Sequence, residues 1–97
     1  MPVILSTARF DKWFVGLRDR RARARIQVRI DRMEDGHFGD FKSVGNGVFE
    51  ARIHYGPGYR LYFSFREQAW VLLLAGGDKS SQRSDIEEAI RESQSVD

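Results

Sequence analysis

The sequence has no cysteine, only two prolines, and only two histidines, His37 and His54, among its 97 residues. The absence of cysteine excludes disulfides, thiolate nucleophiles and cysteine-ligated metal sites. Two histidines are too few for a histidine-rich metal centre. We therefore expect a domain that uses no metal and no other cofactor.

Long apolar segments are also missing. The first residues lack the basic stretch and apolar core of a signal peptide, and the longest apolar run, residues 69–75, is far too short to span a bilayer. Hydrophobic residues at 41% and charged residues at 31% are ordinary proportions for a globular protein. The sequence predicts one cytoplasmic domain over residues 1–97, without a membrane segment and with a polar tail that frays from about Ser93.

Positive charge is concentrated in the first part of the chain. Residues 1–60 carry 12 Lys and Arg against 7 Asp and Glu, a balance of +5, and residues 61–97 carry 4 against 7, a balance of −3. Ten of the first twelve cations are arginines, whose planar guanidinium matches a phosphate better than an ammonium does. This distribution suits a nucleic-acid partner, although many solvated domains share it.

The spacing of apolar residues predicts a short strand over residues 2–6 and then two helices. Thr7 and Asp19 are suitable N-cap residues for these helices. The second helix should run to about Asp35 and stop at Gly36. Two helices joined so tightly predict an antiparallel helical hairpin. The apolar stripes are Phe10, Trp13, Phe14 and Leu17 in the first helix, and Ala22, Ile26, Ile30 and Met33 in the second.

The middle of the chain predicts a loop followed by a β-hairpin. Residues 36–47 contain four glycines and one asparagine, which is typical of a loop. Residues 48–55 and 59–65 both alternate between apolar and polar side chains, and they flank the turn sequence Gly56-Pro57-Gly58. The apolar residues of each run should share one face of the hairpin.

A third strand and a last helix complete the predicted fold. Residues 66–68 form a short connection to the run 70–75, which ends at Gly76-Gly77. This run is apolar on both faces, so it predicts a central strand that is covered on both sides or lies beside the hairpin core. The pattern Ser84-x-x-Glu87 is typical of a helix start. The expected order is β-α-α-β-β-β-α, an α+β fold with the helical hairpin packed on a mainly antiparallel sheet.

The second face of the predicted hairpin carries Glu50, Arg52, His54, Arg60 and Tyr62. If the helices cover the apolar face, these polar groups face solvent on a rigid sheet. Cross-strand neighbours stand about 5 Å apart, so the groups could converge on one phosphate. The ordinary alternative is the polar outer face that antiparallel sheets often have. Two lysines at the ends of elements could flank this face, Lys42 and Lys79.

Such a face has the groups that RNA cleavage by the 2′-hydroxyl requires. Arg52 and Arg60 are suited to stabilising the phosphorane, and Glu50, Lys79 or Tyr62 could transfer protons. A histidine has the most suitable pKa for proton transfer. His54, however, lies beside the turn, which favours an exposed residue at the strand end over the alternative of a catalytic role.

The second helix carries a further basic stripe. Its spacing of three, four, four and three residues places these arginines on one flank. A solvated helix face and a docking surface for an RNA backbone are both consistent with the stripe. Its members are Arg18, Arg21, Arg25, Arg29 and Arg32.

Four motifs in this order resemble a known family. They are Gly39-Asp40-x-Lys42-x-Val44-Gly45, Val48-x-Glu50-x-Arg52-Ile53, Gly56-Pro57-Gly58-Tyr59-Arg60-x-Tyr62 and Leu73-Leu74-x-Gly76-Gly77-Asp78-Lys79-Ser80-x-Gln82. The chain resembles, over residues 8–90, the HigB-like "addiction module killer" branch of the RelE/ParE toxin superfamily. The resemblance implies a RelE-like fold, the toxin of a type II toxin–antitoxin system, and metal-independent cleavage of messenger RNA on the ribosome.

The resemblance also implies roles for individual residues. Arg60 resembles a phosphate-stabilising arginine, and Glu50 and Arg52 fall where RelE has two functional lysines. The general base is therefore left open between Glu50, Lys42 and Lys79. The expected RNA contacts are Lys42, Gln82 and the helical arginines Arg21, Arg25, Arg29 and Arg32.

The resemblance implies partners as well. They are the ribosome with its mRNA, and a helix-turn-helix antitoxin that forms a hetero-oligomer with the toxin. The same superfamily includes ParE-like proteins that poison DNA gyrase by binding, which is the alternative function.

Overall fold

The computed structural model describes residues 2–67 and 70–95. Within these residues the chain forms a five-stranded mixed sheet and three α-helices, so the predicted α+β class is confirmed. The elements are β1 (Val3–Ser6), α1 (Ala8–Val15), α2 (Arg20–Glu34), β2 (Phe41–Gly45), β3 (Val48–Ile53), β4 (Tyr59–Arg66), β5 (Trp70–Gly77), a 3₁₀ turn (Lys79–Ser81) and α3 (Gln82–Ser95).

The strands lie in the order β1-β5-β4-β3-β2. Strand β1 runs parallel to β5, and the other neighbouring strands are antiparallel. Strand β5 therefore has a partner strand on each side, and the side chains of its residues 71–75 are all buried. Helices α1 and α2 cover one face of the sheet and α3 covers the other, so both faces of β5 are packed.

Both predicted N-caps are confirmed. The Thr7 hydroxyl accepts a hydrogen bond from the Phe10 amide at 3.1 Å and donates one to the Leu74 carbonyl at 2.8 Å, which ties the start of α1 to β5. The Asp19 carboxylate accepts hydrogen bonds from the first amides of α2, as an N-cap aspartate should. Helix α2 ends at Glu34, two residues before Gly36, which has a positive φ of 84°.

The prediction of a loop over residues 36–47 is wrong in its second half. Residues 41–45 form the edge strand β2, antiparallel to β3. The turn between them consists of Asn46 and Gly47, with φ angles of 55° and 77°. Asn-Gly is the preferred sequence for a tight hairpin turn with two positive φ angles, so this dipeptide was the signal for the extra strand.

The last strand is two residues longer than the predicted run 70–75, because β5 includes Gly76 and Gly77. The pairing of β4 with β5 is irregular, because Leu74 is an extra residue of β5 between the pairs Tyr62–Ala75 and Phe63–Leu73. The alternation of side chains between the two faces of β5 therefore shifts at this point. A Cβ atom on Gly76 would lie 2.1 Å from the Trp13 ring, and one on Gly77 would lie 1.8 Å from the Asp85 carboxylate. The glycines are thus close-approach positions within a strand.

We expect Gly76→Ala to lower the free energy of unfolding by about 1–3 kcal/mol, because the added methyl overpacks the site and displaces Trp13. Urea denaturation of the single variant measures this cost. In a Trp13→Leu background the same glycine substitution should cost clearly less. Equal costs in the two backgrounds would mean that the contact with Trp13 is not what requires glycine.

The sheet separates two clusters of buried side chains. The cluster under α1 and α2 contains Phe10, Ile26, Ile30, Met33, Ala51, Ile53, Leu61, Phe63, Val71 and Leu73. The cluster under α3 contains Val48, Tyr62, Leu72, Leu74, Ala75 and Ala89. The second cluster occupies the face that the sequence predicted to be open to solvent. That prediction is wrong there, because α3 folds back across the sheet.

Helix α3 begins at Gln82, so the predicted start at Ser84 lies inside it. The chain enters the helix through the 3₁₀ turn, where the Asp78 carboxylate accepts a hydrogen bond from the Ser80 amide at 2.8 Å. Helix α3 extends to Ser95, past Ser93, where the polar tail begins. The predicted connection at residue 68 and the last two tail residues lie outside the described residues. Within residues 2–67 and 70–95, none of the helices is long and apolar enough to cross a membrane.

Candidate functional site

A buried carboxylate, that of Glu50, lies at the centre of the polar residues on β3 and β4. Its side chain has no solvent exposure. Four donors surround it. Arg60 Nη1 donates to Oε1 at 2.8 Å and Arg52 Nε donates to the same oxygen at 3.2 Å. Gln82 Nε2 donates to Oε2 at 2.9 Å and the Tyr62 hydroxyl donates to Oε2 at 3.2 Å.

The donors keep Glu50 ionised. Burial alone would raise the pKa of the Glu50 carboxyl, yet the hydrogen bonds from Gln82 and Arg52, the charge of Arg60 and the bond from Tyr62 bring it below its ordinary value. An ionised carboxylate with both oxygens occupied and no exposed surface does not reach a substrate. Glu50 is therefore an anchor for the two arginines, and the exposed position predicted for it is wrong.

Tyr62 is likewise fully buried, contrary to the exposed position predicted for it. Burial and the neighbouring Glu50 charge raise the pKa of its phenol above the ordinary value. Its hydroxyl is committed as a donor to Glu50. Tyr62 thus helps to hold the Glu50 carboxylate in place, and its buried side chain cannot contact an RNA strand in this structure.

Beyond this buried layer lies an open cleft that gathers three of the predicted site residues. Arg52, Arg60 and Lys79 line it, together with the 53–59 segment, and it encloses about 370 Å³. Arg52 and Arg60 come from facing positions of β3 and β4, as the register Arg52↔Arg60 requires. Lys79 enters from the 3₁₀ turn, where its amide donates to the Pro57 carbonyl at 3.4 Å. The cleft therefore combines three cations from three elements.

The two arginines are held by their bonds to Glu50. The Arg60 side chain is 13% exposed and that of Arg52 is 33% exposed. Arg60 Nε is buried and has no hydrogen-bond partner among residues 2–67 and 70–95. An unpaired buried donor of this kind costs free energy.

A histidine–aspartate pair lies at the rim of the cleft. His54 Nε2 is 2.8 Å from Asp40 Oδ2, and the hydrogen bond from His54 lowers the pKa of the Asp40 carboxyl. Sequence reasoning noted His54 but missed Asp40, because no local pattern joins residues 14 positions apart across a hairpin. In the described part of the chain, no three histidine, aspartate or glutamate side chains are grouped to hold a metal ion.

The arginines of α2 line a neighbouring groove of about 560 Å³, which also includes Arg52, Ile53 and His54. The groove and the cleft share these three residues and so adjoin each other. The stripe residues along the groove are Arg21, Arg25, Arg29 and Arg32.

Arg29 differs from the other stripe residues because its guanidinium binds the backbone. Its Nε donates to the Phe38 carbonyl at 3.0 Å, and its Nη1 and Nη2 donate to the carbonyls of Arg52 and Asp40, both at 2.6 Å. These bonds join α2 to the segment before β2 and to the end of β3. Arg25 instead stacks over the Tyr55 ring at 4.5 Å.

The remaining predicted contacts lie outside the cleft. Gln82 is turned inward to Glu50, so its amide supports the anchor. Lys42 is exposed on β2, in register with Glu50, and does not line the cleft. The structure thus brings together Arg52, Arg60 and Lys79 and places Lys42 on the neighbouring edge of the sheet.

Comparison with known proteins shows the family of this chain. The model of the phage-derived protein Gp49-like family (DUF891) matches residues 12–93. The chain belongs to the Gp49-like family. It is also 49% identical over 86 residues to an uncharacterised protein of Haemophilus influenzae (strain Rd), covering 89% of this chain and 87% of that protein. The family match spans Glu50, its four donors and the cleft.

Arg29 and Arg25 both line the groove but contact different groups, so replacing each of them should change the stability of the protein by a different amount. We expect Arg29→Ala to lower the free energy of unfolding by about 2 kcal/mol, because three carbonyls lose a charged donor. Arg25→Ala, the matched control in the same helix, should cost about 0.5–1 kcal/mol through the lost contact with Tyr55. Urea denaturation of both variants measures the difference. Equal costs would contradict a structural role for Arg29.

Proposed function

We propose that this Gp49-like protein is the toxin of a toxin–antitoxin pair and that it arrests translation by cutting messenger RNA on the ribosome. The observation that carries the proposal is the cleft in which Arg52 and Arg60, both anchored on buried Glu50, face Lys79. The association of the Gp49-like family with toxin–antitoxin toxins supports it. So does the resemblance of the four sequence motifs to the HigB-like branch of the RelE/ParE superfamily.

The charges in the cleft match the demands of phosphodiester cleavage. When the 2′-oxygen attacks phosphorus, negative charge builds up on the non-bridging oxygens, and preorganised donors stabilise it. Arg52 and Arg60 take this role, because the bonds to Glu50 fix their planar forks before the substrate arrives. The Lys79 ammonium donates a proton to the leaving 5′-oxygen.

The groove along α2 supplies binding. Arg21, Arg25 and Arg32 would contact phosphates of the same strand or of ribosomal RNA, with little dependence on base sequence. The groove and the cleft are both open to solvent, so contacts along them give little basis for selecting a base sequence. We therefore propose that the ribosome presents the mRNA, and that a helix-turn-helix antitoxin restrains the toxin in a hetero-oligomer.

Incubation of the purified protein with translating ribosomes and a defined mRNA tests the proposal. Primer extension should locate cuts within translated codons, and the cuts should end in a 2′,3′-cyclic phosphate. Uncut mRNA, together with double-strand DNA breaks and an SOS response after expression in cells, would favour the gyrase-binding alternative instead. A harmless protein that leaves both targets intact would contradict both functions.

A further inference from the structure

We infer that His54, oriented by Asp40, is the general base that activates the 2′-hydroxyl. The inference rests on the proposed RNA cleavage and assigns the proton transfer that the arginines cannot perform. It starts from the position of the pair. His54 lines both the cationic cleft and the arginine groove, so it lies where an RNA strand would pass from one to the other.

The pair is held in place by the surrounding structure. The Asp40 carbonyl accepts hydrogen bonds from Arg29 Nη2 at 2.6 Å and from the Arg52 amide at 3.0 Å. Its backbone is therefore tied to α2 and to β3 at once. The Asp40 carboxylate in turn lies 2.8 Å from His54 Nε2. Although both side chains of the pair are exposed, the backbone of Asp40 is bonded to a helix and to a strand.

The carboxylate also selects the tautomer. In its ionised form Asp40 can only accept a hydrogen bond, so the proton of a neutral imidazole lies on Nε2 and is donated to Asp40. Nδ1 then carries the free lone pair. This is the arrangement in which a carboxylate orients a histidine base and stabilises the imidazolium that it forms.

The other candidate bases are occupied or misplaced. Glu50 has no exposed surface and four donors, and the Tyr62 hydroxyl is buried and bonded to Glu50. Lys42 does not line the cleft. Lys79 lies in it, but as the cation suited to protonating the leaving group. Among the described residues that line the cleft, His54 is the one imidazole, the group that most often serves as a general base.

The step balances without a further reactant. The 2′-hydroxyl gives its proton to His54 Nδ1 while the 2′-oxygen forms a bond to phosphorus. The bond from phosphorus to the 5′-oxygen breaks, and that oxygen takes a proton from Lys79. The products are a 2′,3′-cyclic phosphate and a 5′-hydroxyl. Proton exchange with water restores neutral His54 and charged Lys79.

The experiment measures single-turnover mRNA cleavage on ribosomes between pH 5 and 9 for three variants. We expect His54→Gln to lower the rate about 10²-fold and to remove the fall in rate on the acid side that an imidazole base causes. Asp40→Asn should lower the rate less, because a neutral amide no longer stabilises the imidazolium that forms in the reaction. The matched control is His37→Gln, which replaces the other histidine and should behave as wild type. All three variants keep the other charged side chains near His54, which are Arg25, Arg29, Arg52, Arg60 and Lys79.

The outcomes separate this inference from the proposed function. Cleavage by wild type with an unchanged rate and pH profile in His54→Gln overturns the role of His54 and leaves RNA cleavage standing. Absence of cleavage by wild type overturns both. If Asp40→Asn slows the His54→Gln variant as much as it slows wild type, Asp40 does not act through His54.

Discussion

Replacing Arg60 with lysine is expected to lower the rate of mRNA cleavage by about 10²–10³-fold, the usual cost of removing one preorganised transition-state donor. Lysine keeps the positive charge beside Glu50 but cannot hold Glu50 and a phosphate through one planar fork. The effect should fall on the chemical step, so substrate affinity changes little. Single-turnover cleavage on programmed ribosomes measures the rate.

The control for Arg60→Lys is Arg83→Lys, the same substitution at an exposed position of α3 outside the cleft. It should cleave like wild type and should cause the same growth arrest on expression. Urea denaturation of Arg60→Lys shows whether the domain remains folded. A folded Arg60→Lys variant with wild-type cleavage would contradict the role given to Arg60.

The second large effect concerns the anchor itself. Glu50→Gln is expected to lower the free energy of unfolding by about 3–5 kcal/mol at neutral pH, because it leaves the Arg60 guanidinium nearly buried without its carboxylate. The amide that replaces the carboxylate also turns an NH₂ group toward donors. Since small domains are stable by only about 5–15 kcal/mol, this variant should be close to unfolding. Equilibrium urea denaturation measures the loss.

The lowered pKa of Glu50 predicts how the free energy of unfolding depends on pH. Burial alone would raise the pKa of Glu50, but its four donors bring it below the ordinary value. A carboxyl whose pKa is lowered by folding contributes stability above its unfolded-state pKa, about 4.3, and loses it as the pH falls through the folded-state pKa. Wild type should therefore lose stability as the pH drops below about 4.5, and Glu50→Gln should lack that component.

The matched control for Glu50→Gln is Glu87→Gln, on the exposed side of α3. It should leave the urea midpoint within the range of ordinary surface substitutions, about 0.5 kcal/mol. A Glu50→Gln variant as stable as wild type, with the same loss at acid pH, would contradict the anchoring role. These measurements need no substrate, so they test the site independently of the proposed function.

Local sequence determined the elements of this protein. Thr7 and Asp19 start their helices because a side-chain oxygen can cap the first free amides whatever lies further away. Strands β3 and β4 follow from alternation with a period of two, and the turn at Gly56-Pro57-Gly58 joins them. The pairing of Arg52 with Arg60 follows from that hairpin, so the centre of the cleft could be predicted.

Tertiary packing decided which polar residues are accessible. Alternation assigns Glu50 and Tyr62 to the same face as Arg52, but it does not say which part of that face a distant helix will cover. Helix α3 covers it through Gln82 and Ala89, so that Glu50 becomes a buried anchor, while Arg52 and Arg60 line the open cleft. The pairing of Asp40 with His54 depends likewise on the backbone bonds of Arg29, which join α2 to both segments. Such contacts between residues far apart in sequence arise from the packed chain, and no local pattern encodes them.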